Sequence, residues 1–259
     1  MRKKICNIIE SMWIAISMYS KFPVPFVEWK KENLKFVLCF FPLVGLFIGI
    51  MELIWWYLAN YLRIGAFLTG CIGAAIPILI TGGIHIDGFM DTEDALNSYG
   101  SKEKKLEILK DAHLGAFAVI RFGVYLLLYA GLYSELHKKE GIYLVAIGYI
   151  LSRAWSAIGF VTLKTAKQTG MLYEFAASAE KKVVLVSNGC LIGLLGIVGV
   201  FVSCIAAVII WIGLGVLFWD YKKRSYKEFG GITGDLAGHF LQRSELLVLL
   251  ISTISLLNY

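Results

Sequence analysis

An all-α, polytopic integral membrane bundle of about seven transmembrane helices, preceded by an interfacial helix, is the fold the sequence predicts. Three observations predict it. Hydrophobic residues make up 58% of the chain, with a mean hydropathy of +0.70, too apolar for the surface of a soluble domain. Apolar runs near the roughly 20 residues needed to cross a bilayer recur along the chain. The charged residues, 17% of the total, are bunched between those runs.

The elements follow in order. Met1-Arg2-Lys3-Lys4 and the apolar residues after it imitate a signal peptide, but Glu10 interrupts the run and no small-residue cleavage site follows. An uncleaved interfacial helix over residues 5–19 fits better. Apolar spans are expected at 36–59, 65–85, 115–134, 142–163, 183–200, 201–219 and 236–257. Val183 to Trp219 is too long for one crossing and is flanked by Lys181, Lys182 and Lys222, Lys223, Arg224. A two-helix hairpin with both ends on the positive side accounts for that. Residues 1–259 read as one transmembrane catalytic domain.

The net charge of +6 is topological, so no nucleic acid is expected: Lys and Arg gather in the loops around 21–35, 102–110, 164–182 and 222–227, marking them cytoplasmic. The five cysteines show no C-x-x-C spacing and read as small core residues. On this topology Asp87, Asp91, Asp94, Asp111 and Asp235 all fall on the cytoplasmic side, although the segment ending at Asp94 and the one holding Asp235 lie about 140 residues apart.

In a helix, Asp87, Asp91 and Asp94 stand at i, i+4 and i+7, within an arc of about 60°, and Glu93 points elsewhere. Carboxylates so placed beside lipid repel one another. A hard divalent cation relieves the repulsion, and all-oxygen ligation favours Mg²⁺ or Mn²⁺ over Zn²⁺. Gly88 lets another backbone or a substrate come close. The alternative is a merely solvated acidic loop.

Gly230-Gly231-Ile232-Thr233-Gly234-Asp235 opens the last apolar helix. Such backbone suits a phosphate, making Gly231, Thr233 and Gly234 candidate substrate contacts; Thr233 or Asp235 as a plain helix cap is the competing reading. Asp111 is a candidate metal ligand or base. Arg153, near mid-span, calls for a carboxylate or a substrate phosphate, with Glu52 as a structural alternative.

These residues resemble the cobalamin synthase family, the adenosylcobinamide-GDP ribazoletransferases. The family pattern G-G-x-H-x-D-G-x-x-D-T-x-D matches Gly82 to Asp94. K-D-x-x-x-G matches Lys110 to Gly115. G-G-x-T-G-D-x-x-G matches Gly230 to Gly238, with Glu245 ten residues after the Asp, and P-V-P matches Pro23 to Pro25. The chain departs from the pattern at Ala95, at Ser20-Lys21, at Leu241-Gln242 and at Lys167. The resemblance implies transfer of the adenosylcobinamide-phosphate moiety of adenosylcobinamide-GDP to a hydroxyl of α-ribazole or its 5′-phosphate, with release of GMP. It also implies Mg²⁺ dependence and residence in the lipid bilayer of the bacterial inner membrane; a homo-oligomer is compatible with it. On this expectation Asp87, Asp91, Asp94 and Asp235 hold metal, Asp111 takes the hydroxyl proton, and Lys21 and Arg153 touch phosphate. A CDP-alcohol phosphotransferase is the second enzyme reading, but Asp91-Thr92 stands where its A-R pair belongs. A cation- or proton-coupled transporter is the reading from another class; it favours an internal repeat, which the sequence lacks.

Overall fold

The computed structural model describes residues 2–111, 113–167 and 171–256. Among these the chain is helical, with no strand: α1 (Arg2–Tyr19), α2 (Lys31–Leu34), α3 (Val37–Tyr61), α4 (Ala66–Thr81), α5 (Ile84–Asn97), α6 (Lys102–Ile108), α7 (Ala116–Ser134), α8 (Lys139–Thr162), α9 (Met171–Ser178), α10 (Lys181–Val202), α11 (Cys204–Phe229) and α12 (Gly234–Ile254).

Among the described residues, five helices are long and apolar enough to cross a membrane: α3, α7, α8, α10 and α11. Counting α4 and α5 together as one bent span gives six. The hairpin expected within 183–219 forms, broken at Ser203, whose extended backbone (φ −158°) separates α10 from α11. Phe201 and Ile205 near that break are 86% and 73% exposed, as side chains that face lipid are.

Two of the seven expected spans come out differently. Most of the 236–257 stretch falls in α12, which is too polar to count as an apolar crossing because Asp235, His239, Gln242, Arg243 and Glu245 crowd its first half. Most of α12 is buried, with its polar stripe turned into protein, where a polar side chain near lipid is tolerated. The span expected at 65–85 stops at Thr81, and the chain then turns by 98° into α5. Gly82 and Gly83 make that turn with φ of +64° and +82°, a left-handed pair that side-chain-bearing residues resist.

At the centre stands α8, buried along most of its length and packed on α3, α10 and α12. On α3, Gly45 and Gly49 face the α8 backbone so closely that a Cβ on Gly49 would fall 2.9 Å from the Ala146 carbonyl oxygen. Small residues at i and i+4 let helices approach where no hydrophobic effect drives them together. Several polar groups of this core pair with one another. Tyr149 donates to Glu52 at 3.1 Å, Tyr125 donates to Gln242 at 2.6 Å, and Arg153 pairs with Glu245.

Candidate active site

The site is built on α5. Its inward face carries His85, Gly88, Phe89, Thr92 and Ala95, all buried, and packs on α12 and α7. On the opposite face Asp87 is exposed, while Asp91 and Asp94 are half-buried. Glu93 leaves that face: its carboxylate lies 2.9 Å from His239 Nε2 and 3.5 Å from Arg121 Nε.

Gly88 is the point of contact between the two acidic segments. A Cβ there would fall 2.8 Å from the Asp235 Cα, so only glycine lets the start of α12 lie against α5. Asp235 thereby joins the α5 carboxylates. Gly88→Ala is expected to cost about 1–3 kcal/mol by overpacking and to push Asp235 away from α5. Activity should therefore fall further than the loss in thermal stability accounts for. A variant with full activity and unchanged melting would contradict the contact.

Burial of the Asp91 carboxyl, together with the charges of Asp87, Asp235 and Asp94, pushes it up to about 7. Burial also raises Asp235. Asp91 thus feels the negative charge of Asp87, Asp235 and Asp94 together, while Lys167 and the Thr233 hydroxyl partly offset the burial of Asp235. Among the described residues no three His, Cys, Asp or Glu side chains converge closely enough to enclose an ion. Asp94 lies over the start of α7, its carboxylate filling the space a Cβ on Gly115 would take; this is a favourable place for a negative charge. An open, all-oxygen set of this kind fits Mg²⁺, which takes few protein carboxylates and fills its shell with water and substrate phosphate. It does not fit an ion that demands a closed protein cage.

The other expected residues fall in varied places. Lys21 is exposed and lies across the turn into α5: its amide donates to the Ile80 carbonyl at 2.8 Å, and its side chain covers Gly82. Thr233 is the N-cap of α12, accepting from the Leu236 amide at 3.2 Å and donating to Asp235 at 3.3 Å. Gly234 is exposed on the first turn of α12, where backbone N–H groups favour an anion. Gly231 is committed to structure. Its amide donates to the Ser225 carbonyl at 3.0 Å, and its neighbour Ile232 makes a parallel bridge to Thr165.

Arg153 is placed differently from the expectation of a phosphate contact. It is fully buried, and its Nη1 pairs with Glu245 and donates to the Tyr149 carbonyl at 3.2 Å and to Ser152 at 3.0 Å, while Nε and Nη2 have no hydrogen-bond partner among the described residues. Glu245, rather than Glu52, is its partner. Asp111 stands on an exposed loop, its carboxylate accepting from the His113 amide at 3.0 Å and lying 2.8 Å from the His113 ring. These contacts hold Asp111 below the usual carboxylate range, which makes it a weak proton acceptor near neutral pH.

Two cations were not anticipated as a pair. Burial and the adjoining Lys110 ammonium lower Lys167, while Asp235 acts on it in the opposite sense. Lys110 and Lys167 therefore lie next to each other, from loops 57 positions apart, with Asp235 in electrostatic reach of Lys167 and the Lys167 ammonium donating to the Leu106 carbonyl at 3.3 Å, an arrangement no local pattern announces.

Comparison with known proteins bears on this site. Residues 11–253 match the model of the family described as cobalamin-5-phosphate synthase (CobS). An adenosylcobinamide-GDP ribazoletransferase of Lachnoclostridium phytofermentans is 46% identical over 239 residues, covering 92% of this chain and 91% of the relative. One from Clostridium botulinum (strain Alaska E43) is 33% identical over 248 residues, covering 93% and 95%. No solved structure matches.

Proposed function

We propose a metal-assisted phosphoryl-transfer centre for this chain, which belongs to the cobalamin-5-phosphate synthase family. The reaction is that of its relatives, an adenosylcobinamide-GDP ribazoletransferase. A hydroxyl of α-ribazole, or of its 5′-phosphate, forms a bond to the corrin-side phosphorus of adenosylcobinamide-GDP. The bond from that phosphorus to GMP breaks, and the hydroxyl proton passes to solvent at the open acidic face.

The observation that carries the metal reading is the four-carboxylate unit joined at Gly88. Asp87, Asp91 and Asp94, with Asp235 facing them from α12, would hold Mg²⁺. When bound, Mg²⁺ neutralises diphosphate charge that no carboxylate can meet. The rest falls to the chain itself. Lys21 covers the Gly82–Gly83 turn that leads into the acidic face, and Lys167, with Lys110 next to it, lies in electrostatic reach of Asp235; these cations receive the phosphate oxygens. The exposed Gly234 amide adds a donor at the positive end of α12. The clustering of basic loops supports residence in the bacterial inner membrane with the acidic face towards the cytoplasm.

The test is GMP release by the purified chain given adenosylcobinamide-GDP and α-ribazole. Activity is expected with Mg²⁺, to vanish on chelation and to return when Mg²⁺ is restored. Full turnover in the chelator would exclude the metal role. Absence of GMP from a folded, Mg²⁺-supplied protein would instead favour transport.

A further inference from the structure

Beneath the acidic face lies a cleft, open to solvent, between α1, α3, α5, α8 and α12. Its walls are mostly apolar and aromatic. On one side Tyr19, Phe41 and His85 form a cluster with ring centroids 4.2 to 6.0 Å apart. Across from it lie Phe160 and Leu241, and Asp87 and Asp235 also border the space.

Three side chains of this lining are anomalous. The Tyr19 hydroxyl, His85 Nε2 and Ser156 Oγ are buried without a hydrogen-bond partner, and their residues are only 5%, 4% and 1% exposed. Leaving buried polar groups unpaired is costly, and most proteins avoid it. Three in one cleft beside the reaction centre are explained by a ligand that supplies the partners.

We propose that this cleft receives the acceptor nucleoside: a flat bicyclic heteroaromatic base between the aromatic walls, with its ribose directed towards Asp87 and Asp235. The assignment rests on the transferase reaction stated above. The chemistry of the lining favours this base over the guanine of the donor substrate. Guanine presents several N–H donors on one edge, and the interior of the cleft has no carboxylate to meet them; Asp87 and Asp235 belong to the metal face. A benzimidazole presents apolar edges and one ring nitrogen that accepts, which a single hydroxyl can satisfy. Remaining hydroxyls of the cleft can then meet ribose oxygens. Sites of this kind, apolar with a few convergent polar atoms, are typical for small planar ligands, and a pocket built to hydrogen-bond its ligand discriminates strongly.

The test uses Tyr19→Phe and Ser156→Ala in the full-length protein, with KM measured separately for α-ribazole and for adenosylcobinamide-GDP. Each variant is expected to raise KM for α-ribazole about tenfold while the KM for the corrinoid stays unchanged. Melting temperature should hold or rise, since each removes an unpaired buried hydroxyl; a purely structural hydroxyl would lower it. A raised corrinoid KM would assign the cleft to the donor substrate and overturn the proposal. Unchanged KM for both substrates, in variants that turn over, would overturn it as well. Failure of the wild-type protein to release GMP would fault the reaction itself, so the two readings fail separately.

Discussion

Asp91→Asn is expected to lower kcat/KM for ribazole transfer by about 10²–10³-fold at saturating Mg²⁺. Asp91 is the carboxylate on which Asp87, Asp94 and Asp235 all act, so an amide there removes charge from the middle of the set. The stability effect should run the other way. A carboxyl raised in the folded protein favours folding while it is protonated, and that advantage is lost as pH rises from its unfolded value towards about 7. An amide keeps the neutral state at every pH. The variant should therefore melt no lower than the parent at pH 8, and its margin over the parent should vanish near pH 4. Kinetics across a Mg²⁺ titration and melting at both pH values check this. Normal turnover by the folded variant at limiting Mg²⁺ would remove Asp91 from the metal site.

The second large effect lies in the bundle core. Arg153→Met alone should destabilise the protein by about 3–5 kcal/mol, because it strands the Glu245 carboxylate without its cation. Glu245→Leu should do comparable harm by stranding Arg153. The double variant should recover most of the loss, since an apolar pair of similar volume substitutes well for a buried ion pair. Unfolding of the three variants in detergent measures the cycle. Kinetics of the double variant then separate two roles for Arg153. A nearly unchanged KM for adenosylcobinamide-GDP fits an arginine that braces α8 against α12; a large rise would restore it as a phosphate contact.

Much of the site was legible because helical periodicity is local. The spacing of Asp87, Asp91 and Asp94 defines a face whatever surrounds it, and the neighbouring Gly88 announces a close approach. The basic residues around Val183–Trp219 likewise fix a hairpin without tertiary knowledge. What was hidden depends on how helices rotate against each other. Arg153 has carboxylates in both Glu52 and Glu245, and only the packing of α8 between α3 and α12 selects the second. The meeting of Lys110 with Lys167 and the convergence of Tyr19, His85 and Ser156 join segments remote in sequence. The apolar half of α12 gives 236–257 the length of a span, while its polar half is sheltered by protein, a division that depends on the helices packed around it.

The turn at Gly82–Gly83 has a consequence for the bilayer itself. The 16 residues of α4 rise about 24 Å, short of the roughly 30 Å hydrocarbon core. Where α4 alone meets lipid, the bilayer beside it would have to thin to match it, at a cost of a fraction of a kcal/mol per Å. The carboxylates that follow would then sit in a dimple of the membrane surface. Acyl-chain length would in that case be a variable of the enzyme, with thicker bilayers straining the rim of that dimple and thinner ones relaxing it.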